Sequence, residues 1–112
     1  MTEGKVFIYG IDGGTWKILR PMMDKGYMPN LTRMAEHSLH GICRSTIPPV
    51  TAPAWASFQT GVPPDQHGLY DFLHYTPGSY RGRLINSRDI PRPTLWDIAS
   101  SKGKTVITIN VP

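Results

Sequence analysis

The stretch Lys5 to Ile11, continuously apolar after its lysine and rich in β-branched and aromatic side chains, stops abruptly at Asp12-Gly13-Gly14. A run without polar alternation has no face to show to water, so it predicts a central strand of a parallel sheet, covered on both sides. Thr105 to Val111 is a second β-rich run, ending at Pro112. Between the two, turn and cap residues divide the chain. Thr15 predicts a helix through Trp16-Lys17-Ile18-Leu19, interrupted by Pro21 or Gly26, and Asn30 predicts a second through Leu31 to His37, with Leu31, Met34 and Ala35 on one face. His40 to Ser45 reads as a short strand, and Ile47-Pro48-Pro49-Val50 must be extended, since proline lacks a donor and restricts the residue before it.

Pro53 suits the first turn of a helix, so Ala54 to Thr60 reads as a short helix closed by Gly61, with Thr51 at its N-terminus. Leu69 to Tyr75 and Tyr80 to Asn86 can pair across Thr76-Pro77-Gly78-Ser79 as a hairpin, which reads as an insertion. Thr94 to Lys102 predicts a further helix, stopped by Gly103. The alternation of strands and helices predicts an α/β layer fold with a mainly parallel sheet, in one domain over residues 1–112. A parallel strand normally runs on into a loop and a covering helix, whereas this sequence stops after its last apolar run. The expectation is the N-terminal portion of a larger domain, the alternative being a small domain with an edge strand there.

With 112 residues and a hydrophobic share of 39%, the chain can bury a core. Its first apolar run is too short to span a bilayer and no small-residue cleavage site follows, so a cytoplasmic protein without membrane association is expected. The single cysteine, Cys43, cannot form an internal disulfide, and a buried, inert thiol is expected. A formal net charge of +4 favours anionic partners such as phosphate esters. The cations are scattered, however, and Arg81, Arg83, Arg88 and Arg92 lie in a Gly/Pro-punctuated stretch that reads as a solvated loop, so no stable nucleic-acid complex is expected. There is no P-loop with its lysine, and Gly10-Ile11-Asp12-Gly13-Gly14 is not a dinucleotide fingerprint.

Two residues could carry chemistry. Asp12 stands where the first run ends, at the carboxyl edge of the expected sheet, where open α/β folds bind ligands. Its carboxylate suits a hard cation or zinc, and the two glycines leave room for a metal or phosphate; taken alone, it reads as a turn or cap residue. Thr51 is set between Pro48-Pro49 and Pro53 at a helix start, where amide groups and the helix dipole favour phosphate and alkoxide. Metal coordination would make its hydroxyl a competent nucleophile, and a second metal would hold the substrate oxygens; taken alone, it reads as an N-cap. His67 reads as a residue that fixes its loop by hydrogen bonds, and His37, His40 and His74 show no metal-motif spacing.

Read together, the segments say more. Phe7-Ile8-Tyr9-Gly10-Ile11-Asp12-Gly13 and the stretch from Pro48 to Gly61, followed by Pro64-Asp65-Gln66-His67-Gly68-Leu69-Tyr70-Asp71-Phe72 and Pro93-Thr94-Leu95-Trp96-Asp97, come in the order of the signatures of the type I phosphodiesterase/nucleotide pyrophosphatase family. Most of the chain resembles that family, part of the alkaline phosphatase superfamily. The resemblance implies that Asp12 binds one of two divalent metal ions, usually zinc. It implies that Thr51 bridges to the same metal and attacks phosphorus, giving a covalent phospho-threonine. The substrate would be a small phosphoester, a nucleotide among the candidates. The family's other aspartate and histidine ligands come from sequence beyond Pro112, so the 112-residue chain by itself is expected to lack useful activity. Many eukaryotic members carry an asparagine soon after the nucleophile; here Ala54 stands there, as in prokaryotic relatives, which leaves nucleotide specificity open. The same scaffold also serves phosphomonoesterases, sulfatases and phosphonate hydrolases, and a noncatalytic α/β domain binding a phosphate ligand or a protein is the alternative outside catalysis. No oligomeric state follows from the sequence.

Overall fold

A computed structural model describes residues 4–112, which fall into two compact units, one reaching to Cys43 and one of Arg44–Pro112. In the first unit the run from Lys5 to Ile11 has no regular secondary structure and turns at Asp12-Gly13, where Gly14 donates to the Ile11 carbonyl at 3.2 Å and Gly13 takes a φ of 66°. Helix α1, Trp16–Asp24, starts as expected: the Thr15 hydroxyl accepts from the Lys17 amide. Pro21 does not interrupt it. The proline lies inside the helix, and its own carbonyl accepts from Lys25. Helix α2 is Pro29–Glu36, so Asn30 is not its cap: Met28 holds that position without a side-chain bond, and Pro29 takes the first-turn place that its fixed φ favours. Leu31 and Ala35 are half-buried, whereas Met34 is exposed.

No strand forms over residues 40–45. Gly41 instead offers its carbonyl to the indole N–H of Trp16 at 2.9 Å, and His40 lies beside the same ring, so side-chain contacts rather than a ladder fix the segment. Cys43, expected to be buried, is exposed, because neither helix nor sheet covers this irregular stretch.

The second unit is organised by helix α3, Thr51–Thr60. Ala52, Ala56 and Gln59 recur at helical spacing on its buried face, beside the fully buried Pro53, and Gly61 ends it in the left-handed conformation with φ 72°. The short helix α4, Pro64–His67, packs on α3 and ends at a second left-handed glycine, Gly68. Helix α5, Leu95–Ser101, carries a complete capping box: Thr94 and Asp97 each satisfy the other's backbone amide. That arrangement, led by the Thr94 hydroxyl, holds the Asp97 carboxyl below the usual carboxylate range. The Gln59 amide donates to the Pro112 carbonyl at 2.7 Å and so ties the last segment to α3.

The expected hairpin forms with shorter strands, β1 Leu73–Tyr75 and β2 Gly82–Leu84, paired antiparallel with His74 opposite Arg83 and Tyr75 opposite Gly82. Gly82 leaves space for the Tyr75 ring, whose Cε1 would stand 3.0 Å from an added Cβ. Arg83 grips Asp89 with both guanidinium arms, and that pairing, helped by the Asn86 amide, holds the Asp89 carboxyl at about 2.

Among the described residues this hairpin is the only sheet, so the mainly parallel sheet expected from the two apolar runs is not formed by them. Neither run carries a ladder, the second bending at Asn110 with a φ of 50°, and Phe7 and Ile107 remain 89% and 82% exposed. Every hydrogen bond of a parallel strand goes to a neighbouring strand, so an extended segment acquires a ladder only where its neighbours lie alongside. The fold is thus mixed: five α-helices, a short 3-10 helix at Ser87–Asp89 and one small antiparallel sheet among the described residues.

Candidate functional site

Asp12 is an exposed residue of the turn that ends the first apolar run, as its flanking glycines require. Thr51 is half-buried at the first position of α3. The N-cap is Val50, which has no side chain able to bond the first-turn amides, so Thr51 does not occupy the cap position. The segment expected to be extended instead bends at Ile47 and Pro48, across a cis peptide, and Val50, with ψ 154°, is extended before the helix, whose first turn Pro53 fits. Asp12 belongs to the first compact unit and Thr51 to the second, and each is described within its own unit.

Both residues offer oxygen donors, the kind that a divalent cation such as magnesium, calcium or zinc accepts from a carboxylate or hydroxyl. Their chemistry fits a metal. Among the described residues, no three of His, Cys, Asp and Glu gather as ligands.

The histidine of the Pro-Pro-Asp-Gln-His-Gly turn is the most constrained side chain near α3. His67 is 2% exposed; its Nδ1 accepts from the Leu69 amide at 3.1 Å, and its Nε2 lies 2.9 Å from the Ser57 hydroxyl. Because Nδ1 accepts, the neutral ring carries its proton on Nε2 and donates toward Ser57. Burial pushes the imidazole below its ordinary value, opposed by a hydrogen bond to the Pro53 carbonyl and by the charge of Asp65. This ring fixes its loop, as the sequence suggests, but its partner Ser57 was not singled out by any motif. The one available signal was that two rigid proline and glycine corners fold α4 back on α3.

An open cleft of about 530 Å³ lies on the second unit, its walls including Arg44, Thr46, Ser57, Asp65 and Tyr70. Thr51 does not line it. No helix among the described residues is long and apolar enough to cross a membrane.

A family model described as type I phosphodiesterase / nucleotide pyrophosphatase matches residues 6–112. No curated protein and no solved structure matches the chain.

Proposed function

Because this chain belongs to the type I phosphodiesterase / nucleotide pyrophosphatase family, we propose that it contributes Thr51 as the nucleophile and Asp12 as a metal ligand to the hydrolysis of a small phosphodiester or pyrophosphate. The family is alkaline-phosphatase-like and its members are hydrolases of phosphoester or nucleotide substrates. The observation that carries the assignment is the station of Thr51: first residue of a ten-residue helix that begins without a side-chain cap. A phosphate there meets the positive end of the helix dipole and first-turn amides not taken by a capping side chain.

In this reading the Thr51 Oγ attacks phosphorus in line with the leaving oxygen. One oxygen–phosphorus bond forms as the other breaks, leaving a phospho-threonine that water then hydrolyses. Asp12 and Thr51 are the residues of this chain that would hold divalent metal, zinc being the favoured ion. When bound, it supplies a lowered hydroxyl pKa and charge neutralisation at the phosphoryl oxygens. The helix start orients the hydroxyl, and its amides offset charge developing on the non-bridging oxygens, a part that Ala54 has no side-chain donor to play.

Replacing Thr51 with alanine in the full-length protein tests the assignment. Turnover of a chromogenic nitrophenyl phosphodiester should fall by at least about 10³-fold, as expected for loss of a nucleophile, while the circular dichroism spectrum is unchanged. A T51A variant turning over at the wild-type rate would exclude Thr51.

A further inference from the structure

The buried ring of His67 is bonded to α3. Its Nε2 lies 2.9 Å from Ser57 Oγ, and the Pro53 carbonyl, two residues along from Thr51, stands near enough to act on the charge of the ring. From its other nitrogen it is held by the Leu69 amide at 3.1 Å, just past the left-handed Gly68. One planar group therefore joins a rigid corner to α3. Of the residues that α3 buries, Ala52, Pro53 and Ala56 are small and do little to stop rotation about the axis or sliding along it, and Gln59, bonded to the Pro112 carbonyl, holds only the far end of the helix. A directional bond to Ser57 from a ring buried against the helix opposes both.

The ring cannot itself act as acid or base on a substrate. It is 2% exposed, Nδ1 is occupied by a backbone donor, and the Nε2 proton is directed at Ser57. For the same reason Ser57 is not an activated nucleophile, since it faces a donor rather than a base.

We propose that His67 is a positioning residue, whose bond to Ser57, anchored from the Leu69 amide, sets the axial position and rotation of α3 and hence the aim of the Thr51 hydroxyl. The inference rests on the reading of Thr51 given above. A reacting atom displaced by about 1 Å can cost about 10²-fold in rate, so the brace acts on kcat rather than on substrate affinity.

Two isosteric variants of the full-length protein separate positioning from mere stability. In His67→Asn the amide oxygen takes the place of Nδ1, keeps the Leu69 bond and does not reach Ser57. In His67→Gln the amide nitrogen takes the place of Nε2 and keeps the bond to Ser57. Two quantities are read: kcat and KM on a nitrophenyl phosphodiester, and hydrogen exchange of the Ala54 amide, which closes the first turn of α3 on the Val50 carbonyl at 3.1 Å. The expected result is kcat lowered by about 10 to 100-fold in H67N, with KM within about twofold and faster Ala54 exchange, and both near wild type in H67Q. Equal kcat in H67N and wild type, equal losses in the two variants, or unchanged Ala54 exchange in H67N would overturn the proposal. Should H67N not fold, Ser57→Ala takes its place with the same readouts and a smaller expected loss. Absence of turnover by the wild-type protein would instead overturn the reading of Thr51, and the exchange measurement would then decide on the brace alone.

Discussion

Acidification should unlock the corner that His67 holds. A second proton can enter the ring only at Nδ1, where the Leu69 N–H already points from 3.1 Å, so protonation sets donor against donor. The ring is almost wholly buried and no water replaces the lost bond cheaply. α3 contributes no ionisable side chain, and Asp65 on α4 is the charge that acts on the ring, too weakly to offset burial. The folded protein therefore gives up this proton more readily than the unfolded chain. Below the ordinary histidine value of 6.5 the unfolded chain binds more protons, so stability falls as pH drops from there until the lower native value is passed. One such proton limits the slope to about 1.4 kcal/mol per pH unit. Urea unfolding of the full-length wild type and of H67Q, measured from pH 8 to pH 5, isolates the effect. The exposed His37, His40 and His74 are common to both proteins and cancel in the difference. The stability advantage of wild type should be constant above pH 7 and shrink below about 6.5, approaching that slope. Parallel curves through the whole range, or a wild type that gains on acidification, would refute the reasoning.

The Arg83–Asp89 pair responds in a lower window. Asp89 is held at about 2 against 3.8 in the unfolded chain, so its contribution is full above about 4 and is lost as pH falls toward 2; R83M should return its NMR titration midpoint toward 3.8. An unmoved midpoint would deny the guanidinium its role. At the end of α3, Gly61→Ala places a Cβ in open space yet forces an L-residue to a φ of 72°, so the cost is backbone strain alone, about 1 to 2 kcal/mol in urea unfolding. G61N should recover part of that loss, since asparagine tolerates the left-handed region. Equal stability of G61A and wild type would contradict it.

The features legible in the sequence share one property: their causes lie within a few residues. Pro53 sits in the first turn of α3 and Gly61 ends it, Thr94 and Gly103 bracket α5, and Thr76-Pro77-Gly78-Ser79 turns the hairpin. The misreadings are also instructive. Asn30 looked like a cap, yet Pro29 enters the helix before it; Pro21 looked like a stop, yet α1 runs past it to Asp24. In both places two local signals competed and their order along the chain did not say which would prevail. The residues around His40 had the composition of a strand, but the Trp16 indole, 25 positions away in sequence from Gly41, took the carbonyl a ladder would have used.

The candidate site divides in the same way. Asp12 at a glycine turn and Thr51 at a helix start were set by their immediate neighbours, and the order of the motifs was enough to indicate the family. Tertiary structure alone decided that His67 would be sealed against Ser57 and Pro53, and that its protonated nitrogen would face the helix. Backbone preference acts over one or two peptide units and is written in the residues themselves. The tautomer and burial of a side chain depend on atoms brought beside it from ten residues away or more, and those neighbours exist only once the chain has folded.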